Sequence, residues 1–87
     1  MKDILFFRLA RCPHCINAKR WMDELMEENP EYLKINITTV DEREESDLAD
    51  SYDYYLVPTY FSGDLKLHEG IATKEKIKAV LDYALNN

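Results

Sequence analysis

The sequence predicts one α/β domain: a four-stranded mixed sheet with three helices, in the order β-α-β-α-β-β-α. Three observations lead there. An apolar run near the start passes into a segment of helical periodicity and then into an alternating one, a β-α-β unit whose right-handed crossover requires a parallel strand pair. Gly63-Asp64 separates two short strand-like runs near the end, and a two-residue turn requires an antiparallel pair. These elements use the full 87 residues without repeat, linker or low-complexity tract, so residues 1–87 are read as a single domain.

Taken in order, Ile4 to Leu9 has five apolar residues of six and reads as a strand buried on both faces, in mid-sheet. From Pro13 to about Glu28 there is no glycine, and Cys15, Ala18, Met22, Leu25 and Met26 recur at helical spacing opposite a charged face. Asn29-Pro30 ends that helix, because proline disfavours helical geometry at the preceding residue. Tyr32 to Ile37 alternates, with Leu33, Ile35 and Ile37 on one side, which predicts a half-exposed strand near an edge. Between Asp41 and about Tyr54, Leu48, Ala49, Tyr52 and Tyr55 are spaced for a short helix in an acidic stretch. Pro58 breaks the pattern, Thr59–Ser62 and Leu65–His68 form the hairpin, and Thr73 caps a last helix carrying Ile77, Val80, Leu81, Ala84 and Leu85 inward.

With 46% hydrophobic and 32% charged residues the chain folds, but a domain of this size buries only about 60–65% of its unfolded surface, so the core is thin. The net charge of −6 disfavours nucleic acid and anionic membranes as partners. The first apolar run is interrupted by Arg8 too soon for a signal or spanning segment. Taken as the whole translated product, the chain is expected to be a cytoplasmic monomer, a setting in which a disulfide is transient rather than structural. Its two cysteines, Cys12 and Cys15, lie too close together to staple a fold.

Their position has chemical consequences. Cys12-Pro13-His14-Cys15 stands where the first strand hands over to the first helix. With Cys12 as N-cap and Pro13 as N1, the Cys12 sulfur faces the free N–H groups of His14 and Cys15 at the positive end of the helix dipole. Thiolate is favoured over thiol, which makes Cys12 the expected nucleophile and Cys15, one turn further in, the expected resolving group. His14 and Arg11 add positive charge beside the sulfur. A zinc site is the competing reading of such a pair, but His68 is the only other histidine or cysteine, too few for a closed tetrahedral site, so no metal is expected. Two buried, inert cysteines remain the plain alternative.

The Cys-Pro-x-Cys motif after the first strand, the run Cys15-Ile16-Asn17-Ala18-Lys19 and Val57-Pro58-Thr59 together resemble the thioredoxin superfamily, and more closely its glutaredoxin branch. The resemblance extends over essentially the whole chain. It implies a thioredoxin fold, a cis bond at Pro58 beside the cysteines, and a dithiol-disulfide oxidoreductase reducing protein or low-molecular-weight disulfides. Cys12, Cys15, His14 and Pro58 are the catalytic set on this reading. Arg8, Arg11 and Lys19 are candidate anion contacts, and Val57, Thr59, Gly70 and Thr73 candidate groove contacts. No bound cofactor is implied; glutathione is the expected co-substrate and electron donor. Leu9 stands where many glutaredoxins carry a lysine, and Lys74 where they carry an acid. Tyr52 to Thr59 is also similar to the thioredoxin run leading into its cis-proline, so recycling by a flavin-dependent thioredoxin reductase is the alternative within the same chemistry. A non-catalytic binding module of the same fold, holding a metal between two chains, is the alternative outside it.

Overall fold

The computed structural model of the chain describes residues 1–87. Its strands are β1 (Ile4–Arg8), β2 (Ile37–Asp41), β3 (Thr59–Ser62) and β4 (Leu65–Glu69), and its helices α1 (Pro13–Glu28), α2 (Ser46–Asp50) and α3 (Lys74–Asn86). They form one sheet in the order β2-β1-β3-β4. β1 runs parallel to β2 and antiparallel to β3, and β3 and β4 make the antiparallel hairpin. This is the mixed four-stranded sheet with three helices that the sequence predicts.

β1 lies inside the sheet and its side chains alternate between two cores. Ile4 and Phe6 face the larger one, with Ala18, Met22 and Leu25 of α1, Tyr60 of β3, and Ile77, Val80, Leu81 and Ala84 of α3. Phe7 faces the smaller one, with Val40, Ala49 and Phe61, against which Tyr52, Tyr54 and Val57 pack. The period of two in a strand thus lets consecutive aromatics, Phe6-Phe7 on β1 and Tyr60-Phe61 on β3, serve opposite faces. No helix is long and apolar enough to cross a membrane.

α1 spans the residues predicted, with Pro13 at its first turn and Asn29 closing it through a backbone N–H to Leu25 O. The next segment differs. Residues 30–34 form a 3₁₀ turn, not a strand; Pro30 opens it and the Asn29 side chain accepts from the Glu31 N–H at 3.2 Å. Tyr32 and Ile35 are buried while Leu33, expected inward, is 66% exposed. The turn advances the chain so that residues three apart share a face, which overrides the apparent alternation. The Tyr32 hydroxyl donates to the Asp82 carboxylate, tying the turn to α3.

The strand consequently begins at Ile37, and Asp41, read in sequence as the start of the acidic stretch that holds a short helix, is its last residue. Asp41 is buried, and its Oδ1 accepts from the backbone N–H groups of Arg43 (2.9 Å) and Glu44 (3.3 Å), so its carboxylate turns the chain out of the sheet. The helix that follows shrinks to Ser46–Asp50. Tyr55, expected on its inner face, is 89% exposed.

The hairpin turns at Gly63-Asp64, where Gly63 adopts φ +58°, a left-handed value that only glycine takes readily. A bulge interrupts the β3–β4 register between Tyr60 and Phe61. Thr73 caps α3, its hydroxyl accepting from the Lys76 N–H at 3.2 Å. Thr73→Ala is expected to lower the unfolding free energy by about 1 kcal/mol in urea denaturation, since it leaves a first-turn N–H without its partner.

Candidate active site

β1 ends at Arg8, and after four linking residues, Leu9 to Cys12, the chain starts α1 at Pro13. The link is short because the Cys12 N–H donates to Leu9 O at 3.2 Å, closing a turn that sets Cys12 directly at the helix N-cap. Cys12 has extended geometry (φ −76°, ψ 119°), and its backbone carbonyl accepts from Ile16 N at 2.9 Å. Its sulfur accepts no hydrogen bond from the first-turn amides, so the cap contact expected from the sequence is not made; what remains is the field of a 16-residue helix with no acidic residue in its first turn.

The two cysteines are unbonded thiols in unequal surroundings: Cys12 is partly buried and Cys15 is 2% exposed. Burial above all pushes the Cys15 thiol up to about 12. A hydrogen bond with the Leu9 backbone opposes this, whereas hydrogen bonding and charge from Cys12, and charge from Glu42, add to it. Near neutral pH Cys15 therefore holds its proton, and the accessible sulfur at the helix end is that of Cys12.

Two shallow clefts flank this loop and share Leu9 and Ala10. One, of about 410 Å³, is lined by Arg11, Cys12, Asp41, Arg43 and Glu44; the other, of about 420 Å³, by Arg8, Cys15, Ile16, Lys19 and Thr39. Arg8, Arg11 and Lys19 thus all border the cysteine loop. Arg8 lies 3.9 Å from the Asp41 carboxylate and Lys19 pairs with Asp23 at 2.6 Å, while His14 is exposed between the cysteines. Arg43 and Glu44 sit in what reads in sequence as a solvated acidic stretch; only the end of β2 at Asp41 brings them to the cleft.

The second half of the site comes from the sheet. In the β1–β3 register Phe7 faces Thr59, so Pro58 falls at the end of β1 from which the cysteine loop leaves. The Val57–Pro58 bond is cis, as the family resemblance implies. The groove contacts expected here are distributed differently. Thr59 is fully buried and its hydroxyl donates to Leu56 O, so it braces the loop from inside. The Val57 side chain packs on the smaller core. Gly70, at φ +90°, donates its N–H to Pro58 O at 2.9 Å and lies close enough to Leu56 that an added Cβ would meet Leu56 Cδ1 at 3.3 Å. Thr73 is occupied as a helix cap. Leu56 and Ile71, which precede and follow the Val57–Gly70 segment in sequence, remain as exposed apolar side chains.

One anchor of the loop has no sequence signature. Glu69 Oε2 accepts from the backbone N–H groups of Tyr55 (2.5 Å) and Leu56 (3.0 Å), while Oε1 takes Lys66 Nζ at 2.8 Å. These bonds, the one from Lys66 first, pull its carboxyl down from 4.5 to about 2. Only the antiparallel return of β4 beside β3 sets a β4 carboxylate against residues 55 and 56, which no local pattern encodes.

No protein-family model and no curated protein matches the chain by sequence. Solved structures do match. The solution structure of oxidised thioredoxin from Plasmodium falciparum superposes with a TM-score of 0.71 at 20% identity, covering 94% of this chain and 80% of that one. An uncharacterised thioredoxin-like protein from Clostridium perfringens gives 0.67 at 26% identity, covering 97% and 71%. Oxidised thioredoxin O2 from Arabidopsis thaliana gives 0.58 at 19%, covering 95% and 74%. The chain has the thioredoxin fold. Its structural neighbours are thioredoxins and thioredoxin-like proteins, which together with the Cys12/Cys15 pair supports thiol-disulfide oxidoreductase chemistry.

Glu69 binds its proton more weakly in the folded than in the unfolded chain, so unfolding in acid takes up a proton. Its contribution is complete above about pH 4.5 and is lost as pH falls toward 2. Glu69→Gln, which keeps the shape and removes the charge, should therefore lower the melting temperature at pH 7. The difference from wild type should shrink steadily between pH 4.5 and pH 2; a difference independent of pH contradicts the anchor.

Proposed function

We propose that this protein is a glutaredoxin-like dithiol-disulfide oxidoreductase that reduces protein or low-molecular-weight disulfides with glutathione as electron donor. The observation that carries the reading is the inequality of the two thiols: an accessible Cys12 at a helix N-terminus and a buried, protonated Cys15 one turn behind it. Cys12 thiolate attacks a substrate disulfide, one substrate sulfur leaves, and a mixed disulfide forms. Cys15 then loses its proton and attacks the Cys12 sulfur, expelling the second substrate thiolate, which takes up a proton. Two electrons pass from the dithiol to the substrate, and the donor restores them by the reverse sequence.

The cations around the loop favour an anionic thiol donor. Arg11 and Arg43 line the cleft that contains Cys12, beside Asp41 and Glu44, and Arg8 and Lys19, which pair with Asp41 and Asp23, line the cleft behind it, so the cations that would meet the carboxylates of a small thiol stand among carboxylates of the protein's own. His14, exposed between the cysteines, supports the attacking thiolate when protonated. The apolar pair Leu56 and Ile71 suits an extended peptide lying along the Pro58 loop, whose backbone would pair with it as an added strand. A second reading, a thioredoxin recycled by a flavin-dependent reductase, is favoured by the thioredoxins among the structural neighbours.

Turnover of a small disulfide and of a protein disulfide, each measured with glutathione plus its reductase and with thioredoxin reductase, separates the readings. The proposal expects activity with glutathione. Activity confined to thioredoxin reductase selects the second reading, and no turnover with either removes both. His14→Ala is expected to slow Cys12 alkylation a few-fold, and an unchanged rate removes His14 from the mechanism.

A further inference from the structure

Tyr55, Leu56 and Ile71 are large side chains left in solvent around the Pro58 loop: Tyr55 is 89% exposed, Leu56 60% and Ile71 66%. Tyr55 and Leu56 come just before the cis bond. Gly70, whose N–H reaches Pro58 O at 2.9 Å, is the position where an added Cβ would meet Leu56 Cδ1 at 3.3 Å, and Ile71 follows it. The N–H groups of Tyr55 and Leu56 are already taken by Glu69, so what the loop offers a partner at these two positions is side chains. Large apolar side chains gathered at one loop, unlike ones scattered singly, mark a contact surface.

The charge beside this surface says what its partner carries. Residues 41–53, which lead from the end of β2 toward the loop, hold seven carboxylates and one arginine. Their net charge of −6 is that of the whole chain, since the other 74 residues carry ten acids and ten bases. Glu42, Glu44, Glu45, Asp47, Asp50 and Asp53 make no ion pair; Asp41 alone has one, with Arg8. α1 and α3 instead pair carboxylates along the helix, as in Lys19–Asp23, Arg20–Glu24 and Lys78–Asp82. The unpaired acids lie against both halves of the site. Glu44 lines the cleft of Cys12, while Glu42 and Asp50 line a third cleft with Tyr52, Tyr54 and Tyr55, where the Tyr54 hydroxyl donates to Glu42 Oε1 at 3.0 Å. Arg11 and Arg43 stand at the Cys12 cleft itself and Lys66 is held by Glu69, and from Glu44 to Leu56 the chain has no cation.

We propose that the protein substrate docks on Tyr55, Leu56 and Ile71 and is a basic polypeptide: apolar side chains beside its disulfide meet the loop, and lysines or arginines further along meet the carboxylates of residues 44–53. This rests on the dithiol-exchange reading given above and names the substrate class for it. A partner that lies along the Pro58 loop with its disulfide at Cys12 runs beside the acidic segment, because that segment borders both the Cys12 cleft and the tyrosine cleft. Crowded like charges cost the free protein stability; a cationic partner relieves that repulsion and an acidic one adds to it. The same charge opposes the pairing of two copies of this chain through the face.

Two disulfide-bonded peptides that differ only in the residues flanking the bridge, lysines in one and glutamates in the other, test this in single turnover with the pre-reduced protein. At about 10 mM salt, where charge acts over about 30 Å, the lysine peptide should be reduced about tenfold faster; at about 1 M salt, where it acts over about 3 Å, the two rates should converge. Combining Glu45→Gln, Asp47→Asn, Asp50→Asn and Asp53→Asn should bring the low-salt ratio down to about two. Ile71→Ser should lower both rates and keep the ratio. Reading a ratio within each variant removes any effect of the substitutions on folding. Equal rates with the wild-type protein, or a ratio that survives the four substitutions, overturn the proposal. A second measurement needs no reaction: versions of the peptides with serine for cysteine are titrated into the protein and followed by NMR. The lysine version should shift the amide resonances of residues 44–56 and Ile71, and the glutamate version should not; equal shifts, or shifts of these resonances with the protein's own concentration, overturn the docking surface. Protein that reduces neither peptide nor a small neutral disulfide overturns the oxidoreductase reading, and the titration still decides the surface.

Discussion

β1 is the constraint on which the rest of the structure depends. A strand hydrogen-bonded on both edges and buried on both faces has no freedom of register, because a one-residue slip would exchange Phe6 and Phe7 between two cores of different shape. Fixing β1 fixes where it stops, and the Leu9–Cys12 turn then delivers Cys12 to the N-cap of α1. The same strand, through its antiparallel pairing with β3, sets Pro58 at the same end of the sheet. One buried strand therefore positions both halves of a site whose members are more than forty residues apart in sequence.

α1 then makes the two cysteines unlike. The helix presents one sulfur at its end and buries the other among the side chains that hold it to the sheet, so the chemical difference between them is a consequence of packing. Burial is also what keeps Cys15 protonated near neutral pH. Around the loop, fixed carboxylates do the positioning: Asp41 turns the chain out of β2 and Glu69 holds residues 55 and 56.

Much of this is legible in the sequence because it is local. The span of α1 follows from its stripe and from Pro13 and Asn29-Pro30, the hairpin from Gly63-Asp64, and the α3 cap from Thr73. The strand assigned to Tyr32–Ile37 fails because Leu33, Ile35 and Ile37 imitate a two-residue period over so short a stretch. The spacing of Tyr32 and Ile35, three apart after Asn29-Pro30, is the signal that would have identified the 3₁₀ turn. The roles of Asp41, Arg43 and Glu69 are long-range. Asp41 and Arg43 read as part of an acidic solvated stretch, and Glu69 falls just past the strand read at Leu65–His68, until β2 and β4 are placed. Thr59 illustrates the converse, a residue assigned to the groove by its neighbourhood to Pro58 whose hydroxyl the loop itself uses.

The central claim is that Cys12 attacks and Cys15 resolves. It is tested most directly by exposing Cys12→Ser and Cys15→Ser separately to a disulfide substrate at neutral pH and weighing the products by mass spectrometry. Cys15→Ser should accumulate a mixed disulfide at Cys12, and Cys12→Ser should remain unmodified on the same timescale. Comparable capture by Cys15 in the Cys12→Ser variant would contradict the account, because it would mean that burial on α1 does not separate the two thiols.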